Sequence, residues 1–397
     1  MVATSRLVGA CIALTSQMVS SAALPPKGCP AQNHGGIPMP KEFQRYQQKY
    51  RENLLAVLPT GKCTEETIGI RKSWDEIDDN TRLGYIRAVH CLASKPALTD
   101  RRLAPGAVNR LDDFTYIHIN QTNIIHGSGY LLPWHRIFLT QFETALREEC
   151  GYEDYLPYWD NARFSEDPLR SKVWDGSSSS MGGNGLYLKN DHGPYHEILP
   201  GVGNGNFTLA MPAGSGGGCV QDGPFQNFTI SLGPVAKENI DLTNKYGYKA
   251  NPRCLSRNFH VKSSEGILTW ANATKIVTSP TIHELRINIE SLWHKNSHTF
   301  IGKEGADPFS TTNDPAFYLL HAQIDRLWAI WQGQDLESRT YAIDGNRTFF
   351  GLPLDYAPDV PPSLATIYDR MDMGLGFTPL TLEGMPMTDH DSCFVYQ

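Results

Sequence analysis

The sequence predicts a mainly α fold: a helical bundle interrupted by long loop-rich insertions with a few short strands. Three observations predict it. Amphipathic stretches with helical spacing recur before residue 160 and after residue 280. Between them, about 165–280, the chain is crowded with Gly, Ser, Pro and Asn, as in "DGSSSSMGGNG" and "AGSGGGC". Aromatic residues nevertheless recur in that span, and histidine groups of the same kind flank it. It therefore reads as an insertion into one domain rather than a linker between two.

Composition bounds the rest. At 397 residues, 40% hydrophobic and 19% charged, the chain is globular and long enough for a large core. A net charge of -7 without runs of like charge offers no footprint for nucleic acid or for an anionic membrane. Residues 1–23 read as a secretory signal peptide: Arg6, the apolar run "LVGACIALTSQMVSSAA", and small residues at Ser20–Ala23 for cleavage. The apolar run is too short and too polar to span a bilayer. Residues 24–397 are then one domain of an extracellular protein. Sequons at Asn120, Asn206, Asn227, Asn272 and Asn346 agree with secretion. Without Cys11, seven cysteines remain. Cys219 and Cys254 bracket part of the insertion and are the first candidate disulfide; an odd cysteine is left over.

The elements follow in order. "PKEFQRYQQKYRENLLAVL" (40–58) has helical spacing. "SWDEIDDNTRLGYIRAVHCLAS" (73–94) reads as a helix with Ser73 as N-cap and Glu76 completing a capping box. "RLDDFTYIHINQTNIIHG" (110–127) and "YLLPWHRIFLTQFETALREE" (130–149) follow, and Pro157 bars further helix. After the insertion come "TSPTIHELRINIESLWHKNSHTF" and "TTNDPAFYLLHAQIDRLWAIWQ", the latter with Thr312 or Asn313 as N-cap and Pro315 in its first turn.

Six of the 13 histidines fall into two groups of three. His118, His126 and His135 are spaced by eight and nine. His294 and His298 lie four apart, which puts both rings on one helix face, and His321 follows on its own helix. His192 and His196 share the four-residue spacing, but Gly193 and Pro194 between them argue for a loop. His90 reads as helix packing and His283 as an outer neighbour of the second group. His34, His260 and His390 carry no signal. All-imidazole sites suit Zn, Cu, Fe or Ni rather than Mg or Ca. Two adjacent sites of this kind suit a copper pair that together reduces dioxygen.

These residues carry a resemblance. "IHGSGYLLPWHRIFLTQFE" resembles the first copper motif of tyrosinases and catechol oxidases. "WHKNSHTFIG" and "NDPAFYLLHAQIDRLWAIWQ" are similar to the second, and the tail "DHDSCFVYQ" to the ending of short secreted fungal members. The resemblance spans about residues 40–335. It implies a four-helix bundle holding two copper ions, one on His118, His126 and His135, the other on His294, His298 and His321. It implies oxidation of o-diphenols to o-quinones by dioxygen, with weak monophenol hydroxylation in some members. It further implies that Arg136 and Asp325 pair across the bundle to orient ligands. Glu290, with Glu284 as competitor, would take the phenol proton, and Lys295 and Thr299 would line the entrance.

Departures from the family pattern set further expectations. Lys295 stands where many monophenol-hydroxylating relatives carry Asn, which favours diphenol oxidation. Ile124 stands where some relatives carry the cysteine of a Cys–His thioether, so no such bond is expected. Leu131 replaces a Phe found in some relatives. No shielding domain follows Gln397, so storage in a latent form is not expected. The alternatives are an oxidase dedicated to one phenolic metabolite and a reversible dioxygen carrier.

Overall fold

The computed structural model describes residues 35–58, 63–202, 205–236, 246–354, 359–374, 380–381 and 393–397, with backbone alone over 197–202, 205–207 and at 380. Residues 1–23, read above as a signal peptide, and Cys29, His34 and His390 lie outside the described residues.

Helix α1 spans Lys41–Ala56 and buries Phe43, Tyr50 and Leu54. Strand β1 is Gly69–Arg71. Helix α2 spans Asp79–Ser94, not 73–94. Its N-cap is Asp78, whose carboxylate accepts the Thr81 N–H, a charge-assisted cap at the positive helix end. Ser73 instead bridges to Tyr158, and the buried Arg82 donates to the Trp74 carbonyl, so the segment before Asp78 is a turn.

Helix α3, Arg110–Ile125, opens on a full capping box between Asn109 and Asp112. Helix α4 spans Leu131–Thr144 and widens into a π-helical turn at Ala145–Glu149. The insertion then contributes short paired strands. They are β2 (Gly185–Tyr187) with β5 (Gly217–Val220), β3 (Tyr195–Val202) with β4 (Gly205–Met211), and β6 (Thr229–Ile230) with β7 (Arg253–Cys254), all antiparallel. Helix α5 is Trp270–Val277. Helix α6 (Ile282–Ile287), a π-helical stretch (Asn288–His294) and α7 (Lys295–Ile301) run on without a break. Helix α8, Ala316–Gln332, is buried along its whole length. Neither Thr312 nor Asn313 caps it. Both lie in a preceding 3-10 turn, and Asp314 accepts the Ala316 N–H instead. A short helix α9 (Leu336–Arg339) and the pair β8 (Arg370–Met371) and β9 (Leu380–Thr381) follow. The last strand, β10 (Phe394–Tyr396), pairs in parallel with β1.

The bundle is built by α3, α4, the α6–α7 rod and α8. One continuous core joins Phe138 and Phe142 of α4 and Leu146 of the π-helical turn after it to Tyr318, Leu327 and Ile330 of α8. Three disulfides staple its periphery: Cys63–Cys393, Cys91–Cys150 and Cys219–Cys254. The insertion is tied to the bundle by charge as well as by packing. Arg257, wholly buried, makes two bonds to Asp314 at 2.7 and 2.8 Å, and its Nη1 donates to the carbonyls of Met181, Gly182 and Gly183. The segment just before α8 is thus locked from the insertion side.

Candidate metal centre

The fold brings the six histidines together. In each triad, His118–His126–His135 and His294–His298–His321, one nitrogen of every ring lies within 4.8 Å of the others. The two triads adjoin. The rings of His126 and His294 stack at 5.6 Å between centroids, and those of His135 and His321 at 4.3 Å.

Backbone carbonyls set the rings. The Nδ1 groups of His118, His126, His135 and His298 face the carbonyls of Phe309, Thr122, Leu131 and Gly305 at 2.7, 2.9, 2.7 and 2.7 Å. Each Nδ1 therefore carries the proton, and Nε2 presents a lone pair inward. His118 and His135 have buried Nε2 atoms with no partner among the described residues. The His298 Nε2 lies 3.0 and 3.1 Å from those of His294 and His321. Such crowding leaves lone pairs unsatisfied unless a cation sits between them. Burial pushes all six imidazoles down, with neighbouring rings lowering most of them further, and His126 and His298 reach about 4. They are neutral at pH 7, the form that ligates metal. The arrangement fits two copper ions, each on three neutral imidazoles. Phe317, 4.1 Å from His321 and 5.2 Å from His118 between centroids, closes the space beside both triads with an apolar face.

A cavity of about 280 Å³ opens onto this centre, and His126, His294 and His298 form part of its wall. Glu290 lines it too. Its carboxylate accepts the Gly127 N–H and a bond from Arg286, while burial pushes its pKa up. Glu284 is exposed and does not line the cavity. Lys295 is exposed at the rim. Thr299 lines the cavity but donates its hydroxyl to the Lys295 carbonyl at 2.8 Å. Sequence reasoning missed Phe349, Phe350, Leu209 and Met211, which also line it. They lie far from every histidine in sequence, and no motif marks them.

Beyond the ligands, Arg136 Nε donates to Asp325 at 2.6 Å, both side chains being buried. Asp325 also accepts the Tyr396 hydroxyl at 2.7 Å, and Arg71 stands 3.6 Å from it. This network links the residue after His135 to the residue one turn after His321. Trp134 packs edge-on against His135 at 4.9 Å. Ile124 is half-buried against the core, and Leu131 starts α4.

The remaining histidines stand apart. His283 is exposed and pairs with Asp344, which removes it from the centre. His90 stacks on Phe225, His192 donates to the Leu188 carbonyl, and His260 bonds Ser263. Of the sequons, Asn227 is exposed. Asn120 is exposed but donates to the Tyr248 hydroxyl, Asn272 donates to the Ile267 carbonyl, and Asn346 is half-buried. The Asn206 side chain lies outside the described residues.

Known proteins agree with this geometry. Residues 108–334 match the family model described as the common central domain of tyrosinase. The chain is 37% identical over 318 residues to the tyrosinase-like protein orsC of Emericella nidulans, covering 78% of this chain and 86% of that one. It is 34% identical over 357 residues to tyrosinase P of Aspergillus terreus, covering 86% and 95%. It is 32% identical over 357 residues to the N-acetyl-6-hydroxytryptophan oxidase ivoB of Emericella nidulans, covering 85% and 94%. Among solved structures, a polyphenol oxidase variant from Thermothelomyces thermophila superposes with a TM-score of 0.80 at 33% identity, covering 91% of this chain and 99% of that one. With the matched domain spanning both histidine triads, the chain belongs to the tyrosinase family of type-3 copper oxidoreductases.

Proposed function

We propose that the chain is a secreted, glycosylated oxidase that converts o-diphenols to o-quinones with dioxygen. The observation that carries this reading is the cavity: it reaches three of the six copper-binding histidines through a largely apolar opening, the shape and polarity a phenol ring needs. His118, His126 and His135 hold one copper ion, and His294, His298 and His321 the other. When bound, the pair supplies the redox chemistry. Each diphenol yields two electrons and two protons, and dioxygen takes four of each to give two waters, so two diphenols are oxidised per dioxygen.

The side chains do the rest. Backbone carbonyls fix four of the six rings, those of His118, His126, His135 and His298, before metal arrives, so little reorganisation is required of them. Phe317 keeps water from the inner side of the centre. Glu290 takes the phenol proton: both its oxygens are engaged, but a carboxylate has further lone pairs, and burial favours its protonated form. Lys295 lines the entrance, and Thr299 shapes it sterically because its hydroxyl serves the helix. The three disulfides support an oxidising compartment, and Asn227 is the sequon best presented for glycosylation.

A second reading is an oxidase dedicated to one phenolic metabolite, which the name of the N-acetyl-6-hydroxytryptophan oxidase relative favours. A panel of catechol, tyrosine, guaiacol and aminophenol on copper-loaded protein separates the two. Broad quinone formation supports the first, and turnover of one class alone supports the second. No turnover at two coppers per chain would favour a dioxygen carrier over both.

A further inference from the structure

Behind the cavity wall, Glu290 is backed by two charged residues that the histidine triads do not use. Arg286 lies four residues before Glu290 and is 8% exposed. Its Nη1 donates to Glu290 Oε2 at 3.3 Å. Asp344 grips the same guanidinium from the other side: its Oδ2 accepts from Nε at 3.1 Å and from Nη2 at 3.0 Å. The same oxygen faces the Nδ1 of the exposed His283 at 2.9 Å.

Asp344 is no free surface acid. It stands on a loop that crosses the turn after His126. The Gly129 N–H donates to the Asn346 carbonyl at 2.8 Å, and the Phe350 N–H to the Gly127 carbonyl at 2.8 Å. Gly345, at φ 118°, has no room for a side chain: a Cβ there would meet the Gly129 nitrogen at 2.6 Å. A Cβ on Gly129 would in turn meet the Asp344 carbonyl at 3.1 Å. The loop backbone is pressed onto the turn, which fixes where the Asp344 carboxylate stands. Glu290 Oε1 accepts the N–H of Gly127 in that same turn. The contacts thus close a ring, from Gly127 to Glu290, Arg286 and Asp344 and back through the loop to Gly129.

Charge explains why the ring holds two carboxylates. Arg286 alone beside Glu290 would oppose protonation of Glu290, because the proton would leave a buried guanidinium uncompensated. With Asp344 bonded twice to it, the guanidinium stays paired whichever form Glu290 takes. A plain staple between helix and loop needs only one of the two acids.

We infer that Arg286 and Asp344 are positioning residues for phenol deprotonation: they aim Glu290 at the cavity and keep it free to take the proton. The phenol O–H bond breaks, Glu290 gains the proton, and the phenolate stays in the cavity. Oε2, held by a single 3.3 Å bond from the guanidinium, has a lone pair to spare. The inference rests on the proposed role of Glu290 as base.

The test uses copper-loaded protein and two catechols. Methylcatechol must give its proton to the protein. Nitrocatechol is acidic enough to be largely ionised at neutral pH and needs no base. Glu290→Gln should lower kcat for methylcatechol by about 100-fold or more, the worth of a general base. Asp344→Asn and Arg286→Met should each lower it about 10-fold to 100-fold, the worth of a misplaced catalytic group, with KM unchanged. Arg286→Lys should keep more of the rate than Arg286→Met. In Asp344→Asn, copper content and nitrocatechol binding, read by absorbance, should match wild type. The double variant Arg286→Met/Asp344→Asn should be no slower than Arg286→Met alone. In Glu290→Gln protein, Asp344→Asn should cost nothing further, because both act through one carboxylate. A merely structural ring would weaken nitrocatechol binding along with methylcatechol turnover, and its loss would add to that of Glu290. Either result, or an unmoved kcat in Asp344→Asn, overturns the inference and leaves Glu290 as base. An unmoved kcat in Glu290→Gln removes the base and the inference with it. If wild type leaves methylcatechol untouched, the proposed function fails instead.

Discussion

Asp325 is the position where one atom-level change should be felt throughout the metal centre. It stands between two buried guanidiniums, accepting from Arg136 Nε at 2.6 Å and lying 3.6 Å from Arg71 Nη1, and it also accepts the Tyr396 hydroxyl at 2.7 Å. Asp325→Asn keeps the shape and removes the charge. Both arginines then face an amide in a water-poor interior, though Arg71 keeps Glu143 at 3.0 Å and Arg136 keeps Gln332 at 2.9 Å. Breaking a buried pair by removing one partner costs about 3–5 kcal/mol, because the remaining charge is left uncompensated. Unfolding entropy is about 2.1 cal/mol/K per residue. For a chain of this size the expected loss of Tm is therefore about 4–6 °C. Arg136 follows His135, and Asp325 lies one turn after His321. The same change should loosen both ligand helices and weaken copper retention about 10–100-fold. Differential scanning at a fixed rate measures the first, and chelator competition the second. A Tm within about 1 °C of wild type with normal copper retention would refute the claim that this network, rather than packing alone, holds the ligand helices together.

Further outcomes are expected. His294→Ala should halve the copper content and abolish quinone formation, read by metal analysis and absorbance; retained activity would remove His294 from the ligand set. Tyr396→Phe should cost about 1.5–3 kcal/mol, the worth of a hydrogen bond to a charged group, seen as a lower denaturation midpoint than wild type. Asp160 is buried, its pKa pushed up to about 6 mainly by desolvation, with no hydrogen-bond partner for Oδ1 among the described residues. Its folded pKa lies above the unfolded value near 3.8, so its contribution to stability is fully present below about pH 4 and is lost as pH rises through about 6. Asp160→Asn should thus gain on wild type in stability across that window, and a pH-independent difference in Tm would count against it. Lys295→Asn should raise the ratio of tyrosine to catechol oxidation if the charge at that position disfavours monophenol deprotonation, and an unmoved ratio counts against that role.

Much of the centre was legible because it is local. The His294–His298 spacing places two rings on one face whatever lies around them. The apolar periodicity of 131–144 and 316–332 marks helices that the structure places in the core. Boundaries were less legible. The helix at 73–94 starts at Asp79 because Asp78 caps it and Arg82 takes a carbonyl of the preceding turn. The π-helical stretch at Asn288–His294 leaves no periodic trace, since one widened turn looks in sequence like a helix continuing. Asp314, rather than Thr312 or Asn313, accepts the N–H of Ala316 at the start of α8, and a sequence window cannot tell which of several polar residues in a row will find that N–H.

The sequence by itself determined which residues can ligate metal and which segments form helices, because imidazole chemistry and periodicity are properties of the chain. Only the tertiary structure decided that the two triads face each other, His135 against His321 at 4.3 Å, across 186 positions of chain. It alone decided that Gly127 and Arg286, not solvent, engage Glu290, and that Phe350 and Lys295 share one rim. Those contacts depend on how helices and loops pack in space, and packing is a relation between distant surfaces that no local pattern encodes.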